Sequence, residues 1–268
     1  SCTFPHALPT EWGPAGVVDT GSIPANKTVA EETCTDFTGD GTSNSGLTGL
    51  AGQLNGPLSD ALEGGDIGIM FEFAGVTDFD NTAEFTFQGL IGTPAVEGTV
   101  GGDYTVDAMS YNQDTCDPLI RFDNAAIEGG VLSAGPGTLK LSLDLADMGV
   151  EDMPLVINLS LIDAGVYGTV TEGGADGVVL ADAVLSGVLT KAELETIIGD
   201  LEAWCETPEA EGNDICSYIT VAKSAMALLF DLHRKDDGTY VAKSKDFPGN
   251  AASLCLVHTT AKANITGL

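Results

Sequence analysis

The sequence predicts a mainly β protein: an antiparallel sandwich or barrel-like sheet with a disulfide-linked helical hairpin near the C-terminus. Three observations lead there. Apolar residues alternate with polar ones at a period of two from Asp66 to about Leu189, the pattern of half-buried strands. Two stripes of helical period follow, between about residues 191 and 234. Six cysteines are scattered along a chain with 34 glycines and 11 prolines, a composition of short elements, many turns and covalent staples.

Residues 1–65 read as an irregular N-terminal segment with short helices. Pro5, Pro9, Pro14 and Pro24 discourage regular structure. Leu47, Leu50, Leu54, Leu58 and Leu62 then recur every three or four residues, a helical face suited to covering one side of a sheet. Pro57 divides this run, which predicts one short helix near 47–55 and a second starting about Pro57.

Residues 66–268 read as the β-rich domain. Its expected strands contain Ile67–Phe73, Phe85–Phe87, Tyr104–Val106, Leu119–Phe122, Leu139–Leu143, Leu155–Leu161 and Val179–Leu189. Nine or ten strands with turn signals between them favour a sandwich or barrel over an α/β fold. Thr190-Lys-Ala-Glu193 is a capping box, and Leu194, Ile197, Ile198, Leu201 and Trp204 form one apolar stripe behind it. A second helix is expected from about Ile215 to His233, and a strand over Ser253–Ile265 returns the chain to the sheet.

The cysteines are Cys2, Cys34, Cys116, Cys205, Cys216 and Cys255. Cys205 and Cys216 flank the polar linker between the two expected helices, so their bridge staples the hairpin. Cys2 is assigned to Cys34, leaving Cys116 for Cys255. An even count favours disulfides, and the absence of C-x-x-C or a nearby histidine pair argues against zinc. No basic and apolar leader opens the sequence and no apolar run reaches the ~20 residues of a membrane-spanning helix. The expectation is therefore an extracellular or cell-surface protein after signal-peptide removal, without a transmembrane segment.

Forty acidic residues against 10 basic ones give a formal charge of −30. Residues 1–190 hold 28 of the acids and only 3 of the bases, so the acidic field belongs to the β region. Such a surface excludes nucleic acid as a partner, because phosphate neutralisation needs clustered Lys and Arg.

Asp36, Thr38, Asp40, Thr42 and Asn44 place oxygen-bearing side chains at alternate positions around Gly39 and Gly41. That spacing suits Ca²⁺, which takes six to eight oxygen ligands, although the position of the bidentate glutamate in an EF-hand is Leu47. The alternative for this loop is an Asp/Gly turn without a metal. Glu72, Asp78, Asp80 and Glu84 cluster in sequence as candidates for a carboxylate pair. The chain contains no H-E-x-x-H, G-x-S-x-G, P-loop or dinucleotide-binding glycine motif, and no catalytic residue is assigned.

The order Cys34-Thr-Asp36-Phe-Thr38-Gly-Asp40-Gly41, a leucine segment, a strand opening Gly65-Asp66-Ile67, Gly130-Val-Leu-Ser-Ala-Gly135-Pro136, and Val184-Leu-Ser-Gly187-Val-Leu-Thr190 before a helix resembles a group of secreted proteins and lipoproteins of myxobacteria and relatives. The resemblance spans most of residues 34–268. It implies an envelope or extracellular location and brings no enzymatic activity. Ser1 before Cys2 departs from the lipoprotein members, whose lipidated cysteine comes first.

The leading functional expectation is a non-enzymatic structural or adhesive protein that assembles with itself as a homo-oligomer or filament, held by disulfides and Ca²⁺. The alternative is a secreted module binding carbohydrate or another ligand, such as an envelope polysaccharide. A hydrolase is the third reading.

Overall fold

The computed structural model describes residues 11–65, 68–144, 156–210, 216, 223 and 226–268. Its strands are β1 (Ala15–Ser22), β2 (Ile69–Ala74), β3 (Asn81–Pro94), β4 (Gly102–Val106), β5 (Ile120–Glu128), β6 (Val131–Asp144), β7 (Val156–Gly174), β8 (Gly177–Thr190), β9 (Leu232–Arg234), β10 (Tyr240–Ala242) and β11 (Ala251–Gly267). The helices are α1 (Lys27–Thr33), α2 (Ala51–Glu63) and α3 (Lys191–Cys205).

Eight strands pair in the order β1-β2-β3-β5-β6-β7-β8-β11, and β11 pairs back onto β1, which closes a ring. Every pair around it is antiparallel. Closure satisfies the backbone groups that an open sheet would leave at its edges. Of the two sheet architectures the sequence allowed, the ring-like one is observed. Register shifts bend the long strands, with Glu84, Asp163 and Asp182 at positive φ beside them. Bulges of this kind sharpen local twist and help a sheet to curl.

A second, smaller closure shares part of this wall. β4 pairs parallel with the end of β11 and antiparallel with β3, so β11, β1, β2 and β3 stand between two cores. The larger core contains Phe71, Phe73, Phe85, Phe87 and Phe122 together with aliphatic residues from β5 to β8. The smaller gathers Val17, Met70, Leu90, Tyr104, Val106 and Ile265. The period-two rule assigns the sides: Phe71 and Phe73 of β2 face the large core, while Met70 and Glu72 face the other way.

The segment read as irregular contributes β1, which begins immediately after Pro14. Further on, one helix replaces the two expected around Pro57. α2 runs through that proline, with Ala51 buried before the interruption and Leu62, packed into the large core with Leu58, buried after it. Thr190 caps α3 as the sequence predicts, its Oγ1 accepting from the Glu193 N–H at 3.2 Å. The stripe residues Ile198 and Trp204 are buried.

Cys205 and Cys216 are bonded, as expected. Cys34, however, is bonded to Cys255, which corrects both its assignment to Cys2 and that of Cys116 to Cys255. The reason is positional: Cys34 caps α1, and α1 lies on the outer face of β11, where Ala30, Cys34, Val184 and Cys255 form a small cluster. Cys116 is also disulfide-bonded, and Cys2 lies outside the described residues. Most of the second expected helix lies outside them too. Cys216, Lys223 and Met226–Leu229 are helical, but its expected end is a strand instead, since Leu232–Arg234 pairs with β10.

Candidate functional site

On the small-core side of the shared wall, one row crosses three strands. Glu72 of β2 stands opposite Gln88 of β3, and Gln88 stands opposite Arg121 of β5. Glu72 is only 1% exposed and Gln88 is buried as well. A buried carboxylate is costly unless its lone pairs are matched, and here they are. The Gly13 N–H donates to Glu72 Oε1 at 2.6 Å, and the Gln88 amide donates to Glu72 Oε2.

Gly13 can reach the carboxylate because it has no side chain. A Cβ there would lie 2.6 Å from the Phe73 carbonyl oxygen, so the chain before β1 lies directly against β2. The Phe73 N–H in turn donates to the Pro14 carbonyl at 2.9 Å. Burial raises the pKa of Glu72 despite these two bonds. Burial, with the Glu72 charge beside it, also pushes the Tyr111 hydroxyl up.

These groups surround a cleft of about 450 Å³, lined also by Glu11, Thr86 and Asp117. Arg121 holds Asp123 through Nε at 2.7 Å, and Thr86 donates to the same carboxylate at 3.2 Å. The loop carrying Asp117 is fixed by its own hydrogen bonds: Asn112 N–H to the Asp117 carbonyl at 2.8 Å and Cys116 N–H to the Asn112 carbonyl at 2.8 Å. A carboxyl, a carboxamide, a guanidinium and a phenol thus converge on one cavity with an acid of shifted pKa, the combination that marks binding and reaction sites.

The four acids grouped by sequence do not converge. Glu72 alone is buried in this cleft; Asp78 accepts from the N–H groups of Asp80 and Asn81 in a turn, and Glu84 sits at a bulge. The signal for Glu72 was present in its neighbour. Met70 has the same parity in the strand, and an apolar residue there shows that this face of β2 is also covered.

The loop assigned to calcium is satisfied largely by itself. Asp36 accepts at Oδ1 from the Thr38 and Gly39 N–H groups and the Thr38 hydroxyl, and at Oδ2 from the Gly41 N–H. Desolvation opposes its ionisation, but these bonds outweigh it and lower the carboxyl pKa. Asp40 accepts from the Thr42 N–H and Asn44 from the Phe37 N–H. Asp40, Thr42 and Asn44 open on a second cleft, which brings in Asp231 from far along the chain. Both Asp231 oxygens accept from Ser253, and Lys27 and Lys243 line the same cleft. Among the described residues no group of three or more His, Cys, Asp or Glu is arranged to hold a metal ion.

Another buried ionisable group is His258, in β11 beside Phe71, with ring centroids 5.6 Å apart. Its Nδ1 lies 3.5 Å from the Leu256 carbonyl oxygen. Burial lowers its pKa to about 4, so the imidazole is neutral at pH 7.

The chain matches no protein-family model, no curated protein and no solved structure. Its functional class rests on the fold and the cleft: a disulfide-stapled β-ring protein with a polar cavity built on the outside of the ring.

Proposed function

We propose that the protein is a binding module of the cell exterior and that the Glu72–Gln88–Arg121 cleft takes a small, neutral, hydroxyl-rich ligand, such as a saccharide unit. The single observation carrying this reading is the buried Glu72, held by a backbone N–H and a carboxamide in a cavity of ligand size. Glu72, Glu11 and Asp117 outnumber Arg121, which disfavours an anionic ligand, and alternating donors and acceptors suit hydroxyl groups that do both. The disulfides favour an oxidising compartment, and among the described residues no helix is long and apolar enough to cross a membrane.

The test is a titration of neutral mono- and disaccharides into the protein, followed by backbone amide NMR. Shifts confined to residues around Glu72, Gln88, Tyr111 and Arg121, and binding weakened about tenfold or more by Gln88→Ala, support the proposal; a tenfold loss corresponds to ~1.4 kcal/mol, the scale of one good hydrogen bond. A panel that moves none of these resonances overturns it. Calcium at Asp36, Thr38, Asp40, Thr42 and Asn44 is a companion proposal, supported by the oxygen spacing. Millimolar Ca²⁺ should raise the melting temperature, and Asp40→Ala should abolish the rise; an unresponsive wild type returns the loop to a turn.

The structural or adhesive reading keeps one observation in its favour, a basic groove on the C-terminal portion of the chain.

A further inference from the structure

The chain has only 10 basic residues, yet four of them, Lys191, Lys223, Lys243 and Lys245, line one groove of about 530 Å³. Among the described residues Glu195 is the one acid lining it, so the groove gathers lysines on a molecule of net charge −30. Its floor is apolar, with Met226 and the buried Phe230. Close by in the chain, Leu228 is 79% exposed. Phe247 is exposed as well, with the His233 ring 5.5 Å away and Lys235 5.9 Å from its centroid.

Internal pairing uses only part of this charge. Lys191 lies 3.5 Å from Glu195, Lys223 pairs with Glu202, and Lys243 donates to the Ala227 carbonyl at 2.7 Å. Lys245 has no ion-pair partner among the described residues. An apolar floor with a cationic rim fits a partner that offers an apolar side chain beside carboxylates.

We propose that this groove docks the acidic ring of a second copy of the chain. The complement is in the molecule itself: residues 1–190 carry 28 acids against 3 bases, and this β region exposes apolar side chains next to acids, as at Val96 and Glu97 in the connection from β3 to β4. The two surfaces lie in different parts of the chain, so the contact is heterologous, and repeated use of it builds a ring or a filament. Strand-edge pairing is a poorer route, because the eight-stranded ring closes on itself and β10, at the end of the strand path, has three residues. The proposal is independent of ligand binding in the Glu72 cleft, and each can fail alone.

Opposing electrostatic effects set the expected salt dependence. Two bodies of charge −30 repel over the Debye length, ~30 Å at 0.01 M salt and ~8 Å at 0.15 M, whereas lysine–carboxylate contacts at close range survive until ~1 M, where the length is ~3 Å. Association should therefore rise from low to intermediate salt and fall again at high salt. Contacts that were only apolar would keep strengthening.

The experiment is sedimentation velocity of the wild type from 0.01 to 1 M NaCl, beside a Lys191→Glu, Lys245→Glu variant whose fold is checked by circular dichroism and melting. The wild type should form larger species with a maximum near intermediate salt, and the variant's apparent association should be at least tenfold weaker. Mixed with wild type, the variant still offers its acidic ring and should act as a chain terminator, lowering the average size. A wild type that stays monomeric throughout, or a variant that associates equally well, overturns the proposal. So does a monomer whose groove instead binds a polyuronate probe, since the occupant would then be an acidic polysaccharide.

Discussion

The two cores lie on opposite faces of the same four-stranded wall, yet they are built differently. The face toward the large core is occupied by phenylalanines that touch one another: Phe87 lies 5.2 Å from Phe71 and 5.1 Å from Phe73, ring centroid to centroid. The opposite face begins with Met70 and Leu90 and passes into Glu72 and Gln88, where the cover comes from Gly13, Tyr111 and the loop ending near Arg121. A closed ring can fill its interior with side chains and remain dry. The smaller closure covers only part of the outer face, and a polar cavity lies at its margin. Stability and binding are thereby divided between the two sides of one sheet.

The largest expected effect that tests this division is in the large core. Phe87→Ala should cost ~3–5 kcal/mol and Leu90→Ala, on the opposite face of the same strand, ~2–5 kcal/mol. Because the wall is shared, both variants should unfold in one transition in urea. Separate transitions would show that the small core melts alone and would break the comparison. Removal of the Cys34–Cys255 bridge by paired serine substitution should cost up to ~5 kcal/mol, against ~3 kcal/mol for Cys205–Cys216. The first bridge spans 221 residues and the second 11, and loop-closure entropy grows with the logarithm of length. Equal losses, measured by denaturant unfolding, would show that strain or residual structure sets the value.

Acid should distinguish the two faces further. His258, on the large-core side, has a folded pKa lowered from 6.5 to about 4, so the unfolded chain binds its proton first. Its neutral form is tolerated at pH 7, and stability falls between about pH 6.5 and 4, by up to ~3 kcal/mol. Glu72, on the other face, has a raised folded pKa and carries the opposite sign. Its ionised form is a burden above the ordinary glutamate pKa, and that burden disappears as pH falls below it. Melting curves at pH 7 and 4.5 should show that His258→Leu reduces acid sensitivity and Glu72→Gln increases it. Parallel curves for both variants would mean that neither group titrates with folding.

Most strands were legible because their apolar period is two and turns separate them. β1 was hidden by Pro14 and Pro24 on either side of a short apolar run, with no second strand nearby in sequence to suggest pairing. β9 was hidden because Leu229 and Phe230 continue a helical stripe, and only pairing with β10 and Ala251 makes the following Leu232 a strand residue. The bridge at Cys34 joins residues that only ring closure brings together. The same holds for the site. Glu72, Gln88 and Arg121 are adjacent through strand pairing that no local pattern encodes, whereas Asp36 and Asp40 are conspicuous in sequence because their loop is continuous along the chain.

The most direct measurement is the pH titration of the Glu72 carboxyl carbon by NMR, in the free protein and with the best-binding saccharide present. The expected midpoint lies above the ordinary value of 4.5 and rises further when the ligand excludes water from the cleft. A midpoint at or below 4.5 that the ligand leaves unmoved would contradict both the burial of this acid and its place in a binding site.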